Sequence, residues 1–125
     1  AYMTPGQRDT FVLGVSTGLQ SWSQEAWGGP SMYQNNYYWG YLRNELEWAI
    51  TAYEEDPVWA ESMLDWVFTN RLANAFDPST LPAGKSRGGV AYEGSEYGPV
   101  VGAYPLIPFT TAALLGRNLY EETNF

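Results

Sequence analysis

The chain has 125 residues and a mass of 14.0 kDa, one domain's worth of length or a piece of a larger domain. Lys and Arg total 6 against 14 Asp and Glu, a formal charge of −8 and a pI near 4.2. That balance argues against nucleic acid and anionic membrane as partners, because both demand a cationic surface that displaces counterions. With no Cys and no His, disulfides, thiolate zinc sites, Cys nucleophiles and Ser-His-Asp triads are excluded. Aromatic residues make up 17%, including 6 Trp and 10 Tyr, while charged residues make up only 16%. Such a composition suits a deeply buried chain or the wall of a sugar-binding cleft, where flat amphipathic rings stack and still offer an O–H or N–H.

The first segment, residues 9–28, carries Phe11, Val12, Val15, Leu19 and Trp22 at helical spacing, but Gly14 and Gly18 weaken it as a helix. Those two glycines share one face, on which a second helix could approach closely. Gly28, Gly29 and Pro30 end the segment. The second segment predicts a helix from about Tyr37 to Glu55, with Asn35 or Asn36 near its N-cap. Leu42, Leu46, Ala49, Ile50 and Tyr53 form its apolar stripe, and Arg43 and Glu47 off that stripe form an i,i+4 pair.

Asp56-Pro57 reads as a helix start, with Asp as N-cap and Pro at the first helical position. The third helix is predicted from Pro57 to about Phe76, apolar on more than one face and antiparallel to the second across a short break. Residues 77–98 read as a long loop rich in Gly and Pro, a length that usually signals function or disorder. The uncharged run 97–116 is long enough for a membrane span, but Pro99, Pro105 and Pro108 and its glycines favour a buried, interrupted helix. Residues 116–118, Gly-Arg-Asn, close it.

Residues 1–10 show neither a basic nor an apolar leader pattern. The pattern overall is all-α, with no hairpin signals and no alternating strands. Helices this apolar ask for more burial than four can give one another, which points to a homo-oligomer or to a piece of a larger chain.

Two constellations carry chemistry. The first, residues 33–40, sets Asn35 and Asn36 before Tyr37, Tyr38 and Trp39 at a helix N-terminus. Backbone N–H groups, the helix dipole and an amide donor there suit a carboxylate, as on a uronic acid. The simpler reading makes one Asn an N-cap and the rings core. The second, residues 89–98, presents Tyr92, Glu93, Glu96 and Tyr97 among glycines. A Tyr there can serve as base and then acid if a cation such as Arg87 or Arg117 lowers its pKa, or Glu93 and Glu96 can act as the carboxylate pair of a glycoside hydrolase. The competing reading is a turn whose Glu residues cap helices. Trp39 and Trp27 are the indoles expected to face a sugar. Neither a calcium loop nor a phosphate loop is present, and no cofactor or metal is called for.

The run Tyr92-Glu93-Gly94-Ser95-Glu96-Tyr97-Gly98, then an apolar helix and Gly116-Arg117-Asn118-Leu119-Tyr120, resembles the heparinase II/III and alginate lyase group. The order of an Asn-Asn motif opening a helix, a helix pair and a Gly-rich loop is similar as well. The resemblance spans residues 35–120. It implies antiparallel helical hairpins of an (α/α) toroid, here an incomplete ring. It also implies β-elimination of uronic-acid-containing polysaccharide in a secreted or periplasmic setting. On that resemblance Asn36 neutralises the substrate carboxylate and Tyr97 is the base and acid. Asn35, Tyr37, Trp39, Tyr92, Glu93, Glu96 and Arg87 line the substrate, and the partner is an acidic polysaccharide or oligosaccharide. Tyr37 stands where many relatives carry His. A non-catalytic module that binds carbohydrate or protein through its aromatic surface is the alternative.

Overall fold

The computed structural model describes residues 2–24, 27–89 and 103–123, and every regular element among them is helical. Helix α1 spans Pro5–Trp22 and starts on a capping box: the Thr4 hydroxyl accepts from the Gln7 amide while the Gln7 side chain accepts from the Thr4 amide. The doubtful first segment is thus one unbroken helix that begins four residues earlier than its apolar spacing suggests. Gly14 and Gly18 cost it stability but do not break it. A Cβ added at either would meet nothing within 4 Å, so among the described residues no helix covers the face that the glycines open.

A 3₁₀ turn, Pro30–Met32, leads to α2, Asn36–Thr51. Asp56 caps α3, Pro57–Asp65, through its carboxylate and the Trp59 amide, with Pro57 at the first turn as expected. The rod then continues past Asp65 with a change of pitch. From Trp66 to Phe76 it is a π-helix, in which each amide reaches five residues back; the Asp77 amide closes the segment on the Leu72 carbonyl. A further turn, α4 (Asp77–Thr80), corrects the expected start of the loop by four residues. Its Ser79 and Thr80 hydroxyls donate to the carbonyls of Phe76 and Asp77.

Helix α5, Leu106–Leu114, begins directly after Pro105, and Pro108 falls within its first turn, where a missing N–H costs nothing. The prolines therefore set the start of the helix and leave it unbroken. Gly116, at φ +86°, ends it in a Schellman motif: its amide bonds to Ala113 and that of Arg117 to Ala112. A last turn, α6 (Leu119–Glu122), follows. No helix among the described residues is long and apolar enough to cross a membrane.

Helix α2 is the hub, packing on α1, α3, the π segment and α5. The main core joins Tyr38, Trp39, Leu42 and Leu46 of α2 to Val67, Leu72 and Phe76 of the π segment and to Phe109, Ala112 and Leu119. Edge-to-face rings run through it from Tyr38 to Trp39, Phe76, Phe109 and Tyr120. Ala49, Ala60 and Met63 form a second cluster. Much apolar surface stays outside, including Leu13 and Trp22 of α1, Val58 of α3 and Leu114 of α5.

Candidate functional site: the N-terminal end of helix α2

The first turn of α2 separates the two asparagines by task. Asn35 is the N-cap: its Oδ1 accepts from the Tyr38 amide at 2.9 Å and its Nδ2 donates to the Trp27 carbonyl at 2.9 Å. Its amide is engaged by the backbone at both ends, as the simpler reading of one Asn as an N-cap expects. Asn36 is the first helical residue, half-buried, and lines a cleft of about 120 Å³ with Trp39, Gly40, Arg43, Tyr104 and Ile107. Residues 36, 40 and 43 share one face of α2 by helical spacing. Gly40 keeps the cleft open, because nothing lies within 4 Å of where its Cβ would stand.

Trp39 is only 2% exposed and packs edge-on against Tyr38 and Phe76. It lines the cleft with little of its ring exposed, where the sequence suggested an open indole face. The exposed rings are Trp27, at 67%, and Tyr37, at 54%, with centroids 6.5 Å apart and planes tilted by 50°. Arg43, read as the helical partner of Glu47, donates instead to the Asn44 side chain at 3.2 Å.

Arg87 is exposed in a short 3₁₀ turn, Arg87–Gly89. Tyr92, Glu93, Glu96 and Tyr97 lie outside the described residues. Arg117, the other cation considered for a tyrosine base, is engaged by Glu122, its Nη2 2.5 Å from Oε2, and lies over the Phe68 ring. No group of three or more acidic side chains among the described residues is placed to hold a metal ion.

A buried polar network, not singled out in the sequence, ties α2 to the π segment. Glu45 and Arg71 are both fully buried and meet in a two-pronged pair, Nε to Oε2 at 2.5 Å and Nη2 to Oε1 at 2.7 Å. Arg71 also donates from Nη1 to the Gly28 carbonyl at 2.5 Å and from Nη2 to the Ser23 carbonyl at 3.3 Å. Its own carbonyl accepts from the Tyr38 hydroxyl. Burial lifts the Glu45 carboxyl above its ordinary range, against the opposing pull of Arg71. Burial likewise pushes the Tyr38 phenol well up, so it stays a donor.

A signal for Glu45 was present in the sequence: it sits three residues after Leu42 and four before Ala49, inside the apolar stripe, where a lone charge requires a partner. Arg43 and Tyr104 were also missed as site residues. Arg43 lies seven residues after Asn36, hence on its face; nothing in the sequence brings Tyr104 there. Comparison with protein families, with characterised proteins and with solved structures finds no match to this chain.

Proposed function

We propose that the chain binds uronic-acid-containing polysaccharide at the N-terminal end of α2 and acts on it as a lyase-like module. In this reading the helices are hairpins of an incomplete (α/α) toroid. The observation that carries it is the cleft, whose lining includes an amide residue, Asn36, a guanidinium residue, Arg43, and a phenol residue, Tyr104. An amide and a cation together suit a carboxylate better than a neutral sugar, and Asn35 is already committed as the cap. With the carboxylate neutralised, the C5 proton becomes acidic. Tyr97 then removes it and returns a proton to the leaving glycosidic oxygen, which leaves a C4–C5 double bond.

Incubation with alginate, heparin and polygalacturonate tests this. Elimination raises ultraviolet absorbance as the unsaturated uronate forms, and Tyr97→Phe abolishes that rise while binding persists. A hydrolase using Glu93 and Glu96 would release reducing ends without the absorbance. No rise with any of the three, and no binding of them, refutes the reading.

One observation favours a second reading, a non-catalytic carbohydrate-binding module. Trp27 and Tyr37 form an exposed aromatic pair, and a chain of charge −8 repels polyanions at long range. Under that reading neutral oligosaccharides perturb Trp fluorescence as strongly as acidic ones do, and no product appears.

A further inference from the structure

Exposed indoles are usually free to turn with their backbone, yet the backbone around Trp27 is held by buried side chains. The Trp27 carbonyl accepts from Asn35 at 2.9 Å, and the next carbonyl, that of Gly28, accepts from Arg71 at 2.5 Å. A second arm of Arg71 holds the Ser23 carbonyl on the other side of Trp27. Arg71 in turn is fixed by Glu45 of α2, the helix that presents Tyr37. Gly28 is packed too closely for a side chain: a Cβ there would stand 1.7 Å from the Tyr41 ring. One buried guanidinium thus ties the segment bearing Trp27 to the helix bearing Tyr37. An ion pair used only for packing gains nothing over well-packed apolar residues of similar volume. What apolar residues cannot do is grip two carbonyls and a carboxylate at once.

We propose that Arg71 is a positioning residue for the Trp27–Tyr37 pair, fixing the two rings for stacking on a sugar. This rests on the reading that these rings meet carbohydrate. Preorganised rings bind without the cost of ordering a mobile turn.

The test uses the full chain labelled with 5-fluorotryptophan, the Trp27 resonance being assigned by its loss in Trp27→Phe. Arg71→Lys keeps a cation opposite Glu45 but has no fork to span both carbonyls. The expected result is a shifted or broadened Trp27 resonance, the other Trp lines unmoved, and affinity for a galacturonate trisaccharide lower by about tenfold. A folded Arg71→Lys whose Trp27 line is unchanged overturns the proposal. If Arg71→Lys does not fold, Gly28→Ala displaces the same carbonyl without touching the ion pair. It must move the same line, and an unmoved line overturns the proposal equally. If the line moves in these variants while sugar leaves it unmoved in the unmodified chain, the positioning role stands and the carbohydrate reading fails.

Discussion

Replacing Glu45 with Leu strands the Arg71 guanidinium in the core. Both side chains are fully buried, so no water takes the place of the lost carboxylate. Removing one partner of such a pair costs about 3–5 kcal/mol. The carbonyls of Gly28 and Ser23 still accept from Arg71 and keep the loss toward the lower end. Arg71→Met strands the carboxylate and also orphans those two carbonyls, at about 1–3 kcal/mol for each that stays dry. The double variant Glu45→Leu/Arg71→Met removes both charges and leaves only the carbonyls unpaired. It should therefore be no less stable than Arg71→Met alone, and the two single costs should exceed the double by several kcal/mol. Stabilities of this size of domain run about 5–15 kcal/mol, so the single variants should be measurable yet much weakened. Urea unfolding followed by far-ultraviolet circular dichroism gives the three values. Single costs below about 1 kcal/mol, or costs that simply add in the double, would refute the account of a coupled buried pair.

Other substitutions probe separate links. Gly14→Ala and Gly18→Ala should each stabilise by about 0.5–1 kcal/mol in urea melts, since both lie in helix α1 with open space around them; a loss would mean that something covers that face. Gly84→Ala should destabilise by about 1–3 kcal/mol, because its Cβ would stand 1.9 Å from the Ser79 carbonyl oxygen, a backbone atom that cannot step aside; a neutral melt would refute this. Burial raises the Asp77 carboxyl above its ordinary range despite the attraction of Arg117, and its Oδ1 finds no hydrogen-bond partner among the described residues. A carboxyl raised in the native state contributes stability below its unfolded value and loses it as pH rises through the native value. Asp77→Asn should therefore stabilise at pH 7 and be neutral at pH 3, compared by urea midpoints at the two pH values. Asn35→Asp keeps the cap but loses the donor to Trp27, so it should leave the melt within about 1 kcal/mol while shifting Trp fluorescence; Asn35→Ala should cost about 1–2 kcal/mol.

Helix identities and the starts of α2 and α3 were legible because they rest on local chemistry, whereas α1 starts four residues before its apolar spacing suggests. Asp56 and Asn35 are caps whose meaning depends on the next three residues, and Gly116 stops a helix by its own backbone freedom. The packing of the helices around α2 was not legible in the same way, since it depends on contacts far apart in sequence. Trp39, three residues before Leu42 and seven before Leu46, lies on the apolar stripe of α2 and packs on Phe76, so its burial could be read from spacing. Trp27 precedes the helix, and its exposure could not. The site was legible in part: Asn36 does line a cleft, but Tyr104 arrives there through the placement of α5.

Arg71 was missed for a more specific reason. Under α-helical spacing the apolar residues of 57–76 spread over more than one face, and a helix buried all round gives no single stripe on which a charge stands out. The structure resolves that spread by changing the hydrogen-bond ladder. In the π segment the fully buried positions are Val67, Arg71, Leu72 and Phe76, steps of four and five that match the longer i→i+5 turn. Viewed at that period, Arg71 lies in the buried row and demands a buried acid. Glu45 is the one acid of α2 that also lies in a buried row. The wider turn and the ion pair therefore explain each other: the π register turns Arg71 inward toward Glu45. Without that pairing its guanidinium would be stranded in a dry interior.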